Sequence, residues 1–261
     1  MNPKFFISIL SCARDESNGN NQAFRDTCLK DATELGIEHK FFIGHGGVPK
    51  DDVVLVDSGD DYWSIIYKVV HRYRLTLETP YDYFFFCDVD TYFCAERLLM
   101  SGFEKYDYFG DFYHTDPRQP WPHESYGRFC QGGPGFMIHR KVLKEASKDL
   151  KIYTESPERQ GWGWEFPMGD TIKSHPEFKV GDCRFFTTML SLEDEGPRKT
   201  NSVITAHMST IGDYKKEYMY KKYQEWQDSF QGKFVPSGFV PIRPEVQLSN
   251  LNSPKRIQRV N

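Results

Sequence analysis

Residues 81–90 read Tyr81-Asp82-Tyr83-Phe84-Phe85-Phe86-Cys87-Asp88-Val89-Asp90. The aromatic run up to Cys87 starts just after Pro80 and is nearly continuous in apolar character, so it reads as a buried strand. Before it, Ile65, Ile66, Val69, Val70, Tyr73 and Leu77 recur at helical spacing. Ser58, Asp60 or Asp61 can cap the start of that helix, and the pre-proline residue Thr79 ends it. Further upstream, residues 4–10 (KFFISIL) read as a first strand, 22–36 as a helix ending near Gly36, and Lys40–Ile43 and Val53–Val56 as two more strands. Strand, helix, strand, strand, helix, strand predicts an α/β fold with a mainly parallel central sheet flanked by helices. Ligands of such sheets bind beyond the carboxyl ends of the strands, where Asp88-Val89-Asp90 stands.

Downstream the pattern is looser. Tyr106–Tyr113 and Gly135–Ile138 read as strands, Arg140–Ser147 and Phe166–His175 as helices, Cys183–Phe186 and Val203–His207 as short strands, and Tyr214–Phe230 as a helix. Residues 1–232 are assigned to one domain. Residues 233–261 carry Pro236, Pro241, Pro244 and Pro254 with little periodicity and read as an extended tail or lid.

A length of 261 residues suits a single domain with an ample core. The 33 basic and 37 acidic residues give a net charge of −4, without the basic excess that drives binding to phosphate backbones, so nucleic acid is not the expected partner. The apolar run Phe5–Leu10 is far shorter than the ~20 residues of a membrane span and no cleavage site follows it. Six cysteines occur without a CxxC pair, which argues against a zinc knuckle. The expectation is a cytoplasmic chain with reduced thiols and no membrane span. Aromatic residues form 16% of the chain although the mean hydropathy is −0.62, a mixture suited to a dense core plus a surface that stacks on ring-shaped ligands.

Alternation at a strand end aims residues two apart to one side, so Asp88 and Asp90 can together hold a hard divalent cation, directly or through water. Solvated turn aspartates share this spelling; delivery by a very hydrophobic strand favours the metal. In Cys130–Ile138, Gly132, Gly133 and Gly135 let the backbone approach a ligand or simply turn, and neither a Walker loop nor a dinucleotide fingerprint is present. Trp162 and Trp164, separated by a glycine, suit either the apolar face of a sugar or a plug in the core. Glu165 and Asp170 flank the start of a helix, where a carboxylate can cap or act as a general base. His207 ends a short apolar strand and can complete a metal set with the aspartates.

In order and spacing these pieces resemble the β-1,3-glycosyltransferases of glycosyltransferase family 31 and the related Fringe enzymes, from about Ile7 to His207. Phe24-Arg25-Asp26-Thr27-Cys28 resembles the family's Ile-Arg-x-Thr-Trp. Asp60-Asp61-Tyr62 followed by Lys68 is similar to its Asp-Ser-Tyr with a lysine six residues on. Asp88-Val89-Asp90 stands where the family has Asp-Asp-Asp, and Gly132-Gly133-Pro134-Gly135-Phe136 is similar to Gly-Gly-Ala-Gly-Phe. Gly169-Asp170-Thr171-Ile172 falls where the family has Glu-Asp or Asp-Asp, whose second carboxylate is the base, and His207 takes the place of a late metal-binding histidine. Val89 and Gly169 depart from the pattern, the latter leaving Glu165 as a rival base, and the membrane anchor usual in animal members is not expected, since no stretch of this sequence is long and apolar enough to be one.

The resemblance implies a GT-A type (Rossmann-like) single domain. It also implies a metal-dependent, inverting transfer of a sugar from a nucleotide diphosphate donor, UDP-linked, to a hydroxyl of a glycan acceptor. Asp88, Asp90 and His207 would hold Mn2+ or Mg2+, and Asp170 would take the acceptor proton. Arg25, Asp60, Asp61, Lys68, Val89, Gly132 and Gly133 would lie near the donor, and Trp162 and Trp164 against a sugar. Two other functions share parts of this set: a non-catalytic carbohydrate-binding protein with a decayed transferase site, and a metal-dependent phosphoesterase, which normally needs denser clusters of His and Asp.

Overall fold

The computed structural model describes residues 5–112, 129–154, 165–183, 185–188, 203–208 and 215–230. Its strands are β1 (Phe5–Leu10), β2 (His39–Ile43), β3 (Val53–Leu55), β4 (Tyr83–Asp88), β5 (Thr91–Phe93), β6 (Tyr108–Gly110), β7 (Phe136–His139), β8 (Val180–Asp182), β9 (Phe186–Thr188) and β10 (Thr205–His207). The helices are α1 (Ala13–Ser17), α2 (Asn20–Asp26), α3 (Cys28–Glu34), α4 (Ile65–Glu78), α5 (Ala95–Met100), α6 (Arg140–Ala146), α7 (Lys151–Thr154), α8 (Phe166–Ser174) and α9 (Lys215–Phe230).

The central sheet has seven strands in the order β3-β2-β1-β4-β7-β6-β8. Strands β3, β2, β1 and β4 run parallel, β7 is antiparallel to both neighbours, and β6 and β8 are parallel. The α/β fold with a mainly parallel, helix-flanked sheet is therefore as the sequence predicts. A second sheet, β5-β10-β9, stands beside it.

Alternation along the strands explains why they are apolar on both sides. Phe5, Ile7 and Ile9 of β1 and Phe85 and Cys87 of β4 pack with Phe24, Leu29, Leu98, Tyr218 and Met219 from α2, α3, α5 and α9. Phe6 and Leu10 of β1 and Phe84 and Phe86 of β4 face the other way, onto Ile66, Val69, Val142, Leu143, Met168 and Ile172 from α4, α6 and α8. Each such side chain contributes roughly 1.5–3 kcal/mol by leaving water. Phe86 is clamped between Phe136, stacked at 5.6 Å, and the edge of Tyr73 at 5.3 Å, so β4 meets β7 and α4 rigidly.

Three local expectations are corrected, and one strand is new. The helix expected over 22–36 is α2 and α3, with a break at Thr27, whose hydroxyl bonds back to the Ala23 carbonyl at 2.6 Å while its backbone leaves helical angles (φ −120, ψ −98). The strand expected over Tyr106–Tyr113 contracts to β6, and Phe112 makes an isolated bridge to Cys130. The strand expected at Cys183–Phe186 is instead β8 before it and β9 starting at Phe186. Strand β5, unread in the sequence, is only three residues long and depends on its partner β10.

All six cysteines are free thiols. No helix among the described residues is long and apolar enough to cross a membrane. Trp162, Trp164 and the segment 233–261 lie outside the described residues.

Candidate functional site

In the strand order the neighbours of β1 diverge: β2 follows it on one side and β4, reached through α4, lies on the other. Such a switch point opens a crevice at the carboxyl edge. Asp88 ends β4 there, opposite Leu10 of β1. Val89 donates its N–H to the Leu10 carbonyl at 2.9 Å and buries its side chain in the core, which accounts for an apolar residue between two acids. The chain then crosses into β5. Strand β10 pairs antiparallel with β5 so that His207 lies opposite Thr91, and the Met208 N–H bonds the Asp90 carbonyl at 2.9 Å.

This crossing brings three residues together from positions 88, 90 and 207. One ligand atom from each of Asp88, Asp90 and His207 lies within 4.8 Å of the others, and His207 Nε2 is 3.3 Å from Asp90 Oδ1. Two carboxylate oxygens and one imidazole form a donor set that fits Mn2+, with Mg2+ less suited to the nitrogen.

The glycine loop supports the histidine. A Cβ on Gly133 would lie 2.2 Å from His207 Nδ1, and the Gly133 carbonyl is fixed by the Thr91 hydroxyl at 2.5 Å, so backbone packs directly on the ring. Gly135, at φ +80, lets the chain turn over Phe85, which a side chain would meet at 2.8 Å. Gly133→Ala must displace the imidazole; Mn2+ affinity, read by electron paramagnetic resonance, should fall about 10- to 100-fold, the usual effect of disturbing a residue that orients a ligand.

The two candidate bases are placed differently. Glu165 immediately precedes α8, and its carboxyl lies in the field of Asp88 and His207, next to the Gly132 backbone. Burial first, then the Asp88 charge, pushes it up to about 7, against the opposing effect of backbone N–H groups of Glu165 itself and Gly132 and of His207. The Glu165 charge also bears on Tyr62 and Tyr73. Asp170 lies five residues on, about 140° round the helix from Glu165 and about 160° from the buried Met168 and Ile172. Helix phase therefore turns the two carboxylates to different sides.

Of the residues expected near the donor, Asp60 and Lys68 lie at the carboxyl edge. Asp60 accepts from the Ala13 N–H at 2.5 Å, the Gly44 N–H at 2.9 Å and Lys68 Nζ at 3.0 Å, and Lys68 also donates to the Ser11 carbonyl at 3.0 Å. Together they tie the segments after β1 and β2 to α4. Asp61 caps the tight turn Tyr62–Ser64, accepting from the N–H groups of Trp63 and Ser64 at 2.8 and 3.0 Å.

Arg25 is engaged in an ion cluster: its Nε is 2.6 Å from Asp52 and its NH1 3.3 Å from Glu16, which also meets Lys50. Burial tends to raise both carboxyls, but their hydrogen bonds and the neighbouring cations outweigh it and hold both below their ordinary values. Their stabilisation is thus present at neutral pH and lost as acid protonates them through those lowered values. Arg25→Met should cost about 1–3 kcal/mol of stability in denaturant titration.

One supporting residue escaped the sequence reading. Arg72 is fully buried in α4, donating from Nε to the Ser8 hydroxyl at 2.9 Å and from NH2 to the Ser8 carbonyl and to the Cys87 carbonyl, the latter at 3.0 Å. Its guanidinium lies 4.5 Å above the Phe86 ring. Burial lowers it to about 10, still protonated at neutral pH, and the Asp88 charge opposes that lowering. Arg72 thus braces the ends of β1 and β4 directly behind the aspartate. The signal was a polar row, Lys68, Arg72 and Thr76, spaced by four residues alongside the apolar face of α4.

No protein-family model matches this sequence, and no curated protein matches it either. Among solved structures, a glycosyltransferase involved in the glycosylation of the major capsid of PBCV-1 superposes with a TM-score of 0.51 at 13% identity, covering 84% of this chain and 100% of that one. The galactosyltransferase LgtC gives a TM-score of 0.46 at 11% identity, over 88% of this chain and 100% of that one. The catalytic domain of Drosophila β1,4-galactosyltransferase 7 gives 0.40 at 17% identity, over 68% and 63%. At such identities the likeness is one of fold: this chain has the GT-A type fold of glycosyltransferases.

Proposed function

We propose that this chain is a metal-dependent, inverting glycosyltransferase, similar to family 31 and Fringe enzymes, that moves a sugar from a UDP-linked donor to a hydroxyl of a glycan. The observation that carries this reading is the convergence of Asp88, Asp90 and His207 at the carboxyl edge of a GT-A type sheet.

In this reading Asp88 and Asp90 would supply the charge and His207 the nitrogen that hold Mn2+ for a donor diphosphate. When bound, that cation offsets the negative charge gathering on the leaving nucleotide. The segment after β1, fixed by Asp60 and Lys68, is the seat of the nucleoside. Glu165 takes the base role in preference to Asp170, because its carboxyl lies in the field of Asp88 and His207 and a proton affinity near neutrality suits a general base.

The test is a panel of nucleotide sugars supplied with Mn2+ and scored for slow UDP release without acceptor, repeated with Asp88→Ala. Release from one donor that disappears in the variant supports the reading. Release of phosphate from simple esters, with no donor hydrolysed, would assign the site to a phosphoesterase. Glycan binding with no UDP released from any donor would assign it to a carbohydrate-binding protein.

A further inference from the structure

Tyr62 and Trp63 are among the most exposed large apolar side chains of the described residues, at 60% and 66%. Neither is loosely held at its backbone. The Asp61 carboxylate receives the Trp63 and Ser64 N–H groups and, at 2.8 Å, the Ser64 hydroxyl, so the turn is fixed before any ligand arrives. The two rings meet edge to face, centroids 6.2 Å apart and planes at 81°, and form a corner rather than a flat patch.

Their height above the sheet follows from α4. Arg72 bonds Ser8 within β1, and Lys68, one turn earlier, bonds Ser11 just past the end of that strand, so α4 runs antiparallel to β1. Tyr62 and Trp63 lie in the turn just before α4, and the neighbouring Asp60 carboxylate accepts from the Ala13 and Gly44 N–H groups just past the ends of β1 and β2. The corner therefore rises above the carboxyl edge where Leu10 pairs with Asp88. The Tyr62 hydroxyl is raised, first by burial of part of the ring and then by the charges of Glu165 and Asp88, and so lies within their field.

The geometry points to the Tyr62–Trp63 corner as the acceptor subsite, which stacks the apolar face of a pyranose ring and presents its hydroxyl to Glu165. This assignment rests on the transferase reading. Aromatic rings with an exposed face on a pinned backbone are suited to the C–H face of a sugar, while nearby carboxylates orient its hydroxyls.

The experiment uses full-length protein saturated with UDP and Mn2+. Saturation-transfer NMR is recorded with the methyl β-glycosides of glucose, galactose, xylose and N-acetylglucosamine, and UDP affinity is measured in parallel by calorimetry. Wild type should saturate ring protons of at least one glycoside. Trp63→Ala should weaken that glycoside about tenfold, Trp63→Phe should restore most of it, and UDP affinity should stay within about twofold. A loss of UDP affinity in Trp63→Ala would place the nucleotide base on the corner and overturn the assignment. Absence of contact with all four glycosides, or contact unchanged in Tyr62→Ala/Trp63→Ala, would overturn it too. Failure of wild type to bind UDP with Mn2+ would instead remove the transferase reading beneath it.

Discussion

Glu165→Gln should lower kcat by about 10² to 10⁴, the usual worth of a positioned general base, while UDP affinity with Mn2+ stays nearly unchanged. Asp170→Asn should cost less than about tenfold. The expectation rests on placement: Glu165 precedes α8 and lies in the field of Asp88 and His207, whereas Asp170 is turned to another side of the helix. The pH profile adds a second reading. A base must be deprotonated, and burial followed by the Asp88 charge raises this carboxyl to about 7. The rate of wild type should therefore climb with pH toward a plateau, with its midpoint at or below about 7 because a bound dication favours the carboxylate. Glu165→Gln should lose that limb. Stability carries the opposite sign: the unfolded glutamate releases its proton first, so in metal-free protein the contribution of this group is full at low pH and is lost as pH rises through about 7. Near wild-type turnover in Glu165→Gln, with loss in Asp170→Asn, would return the base to Asp170.

Asp90→Ala should weaken Mn2+ by about 10² to 10³, and Asp88→Ala by a similar factor, since each removes one of two charged ligands from a three-residue set. His207→Ala removes a neutral ligand and should cost less, about 10- to 100-fold. Paramagnetic resonance of free Mn2+ gives these affinities without any substrate. The order also separates a metal centre from a mere hydrogen-bonded pair. If His207 and Asp90 served only each other across 3.3 Å, replacing either would alter folding stability and leave Mn2+ binding alone.

Much of the fold is legible in the sequence where period and burial agree. β1, β2, α4 and β4 follow from runs such as Phe84-Phe85-Phe86 and from apolar residues of α4 at helical spacing. β5 and β8 are illegible for a physical reason: at three residues they carry no period, and pairing with β10 and β6 makes them strands. Asp88, Asp90 and His207 are readable as candidates because each ends or follows an apolar strand. The choice between Glu165 and Asp170 is not readable that way, since spacing along the chain cannot report helix phase relative to a distant sheet edge. Arg72 is hidden because a polar row at four-residue spacing, Lys68, Arg72 and Thr76, reads equally well as a solvated face, and only the fold shows it buried behind Asp88. Arg25 shows the converse, a residue matched by resemblance whose guanidinium is engaged by Glu16 and Asp52.

The central claim, that Asp88, Asp90 and His207 hold a metal on which a nucleotide diphosphate sits, is tested most directly by calorimetric titration of UDP into wild-type protein with and without Mn2+. The account predicts saturable binding with Mn2+ that weakens at least about tenfold when the metal is chelated. Equal UDP affinity in both conditions, or none in either, would contradict it.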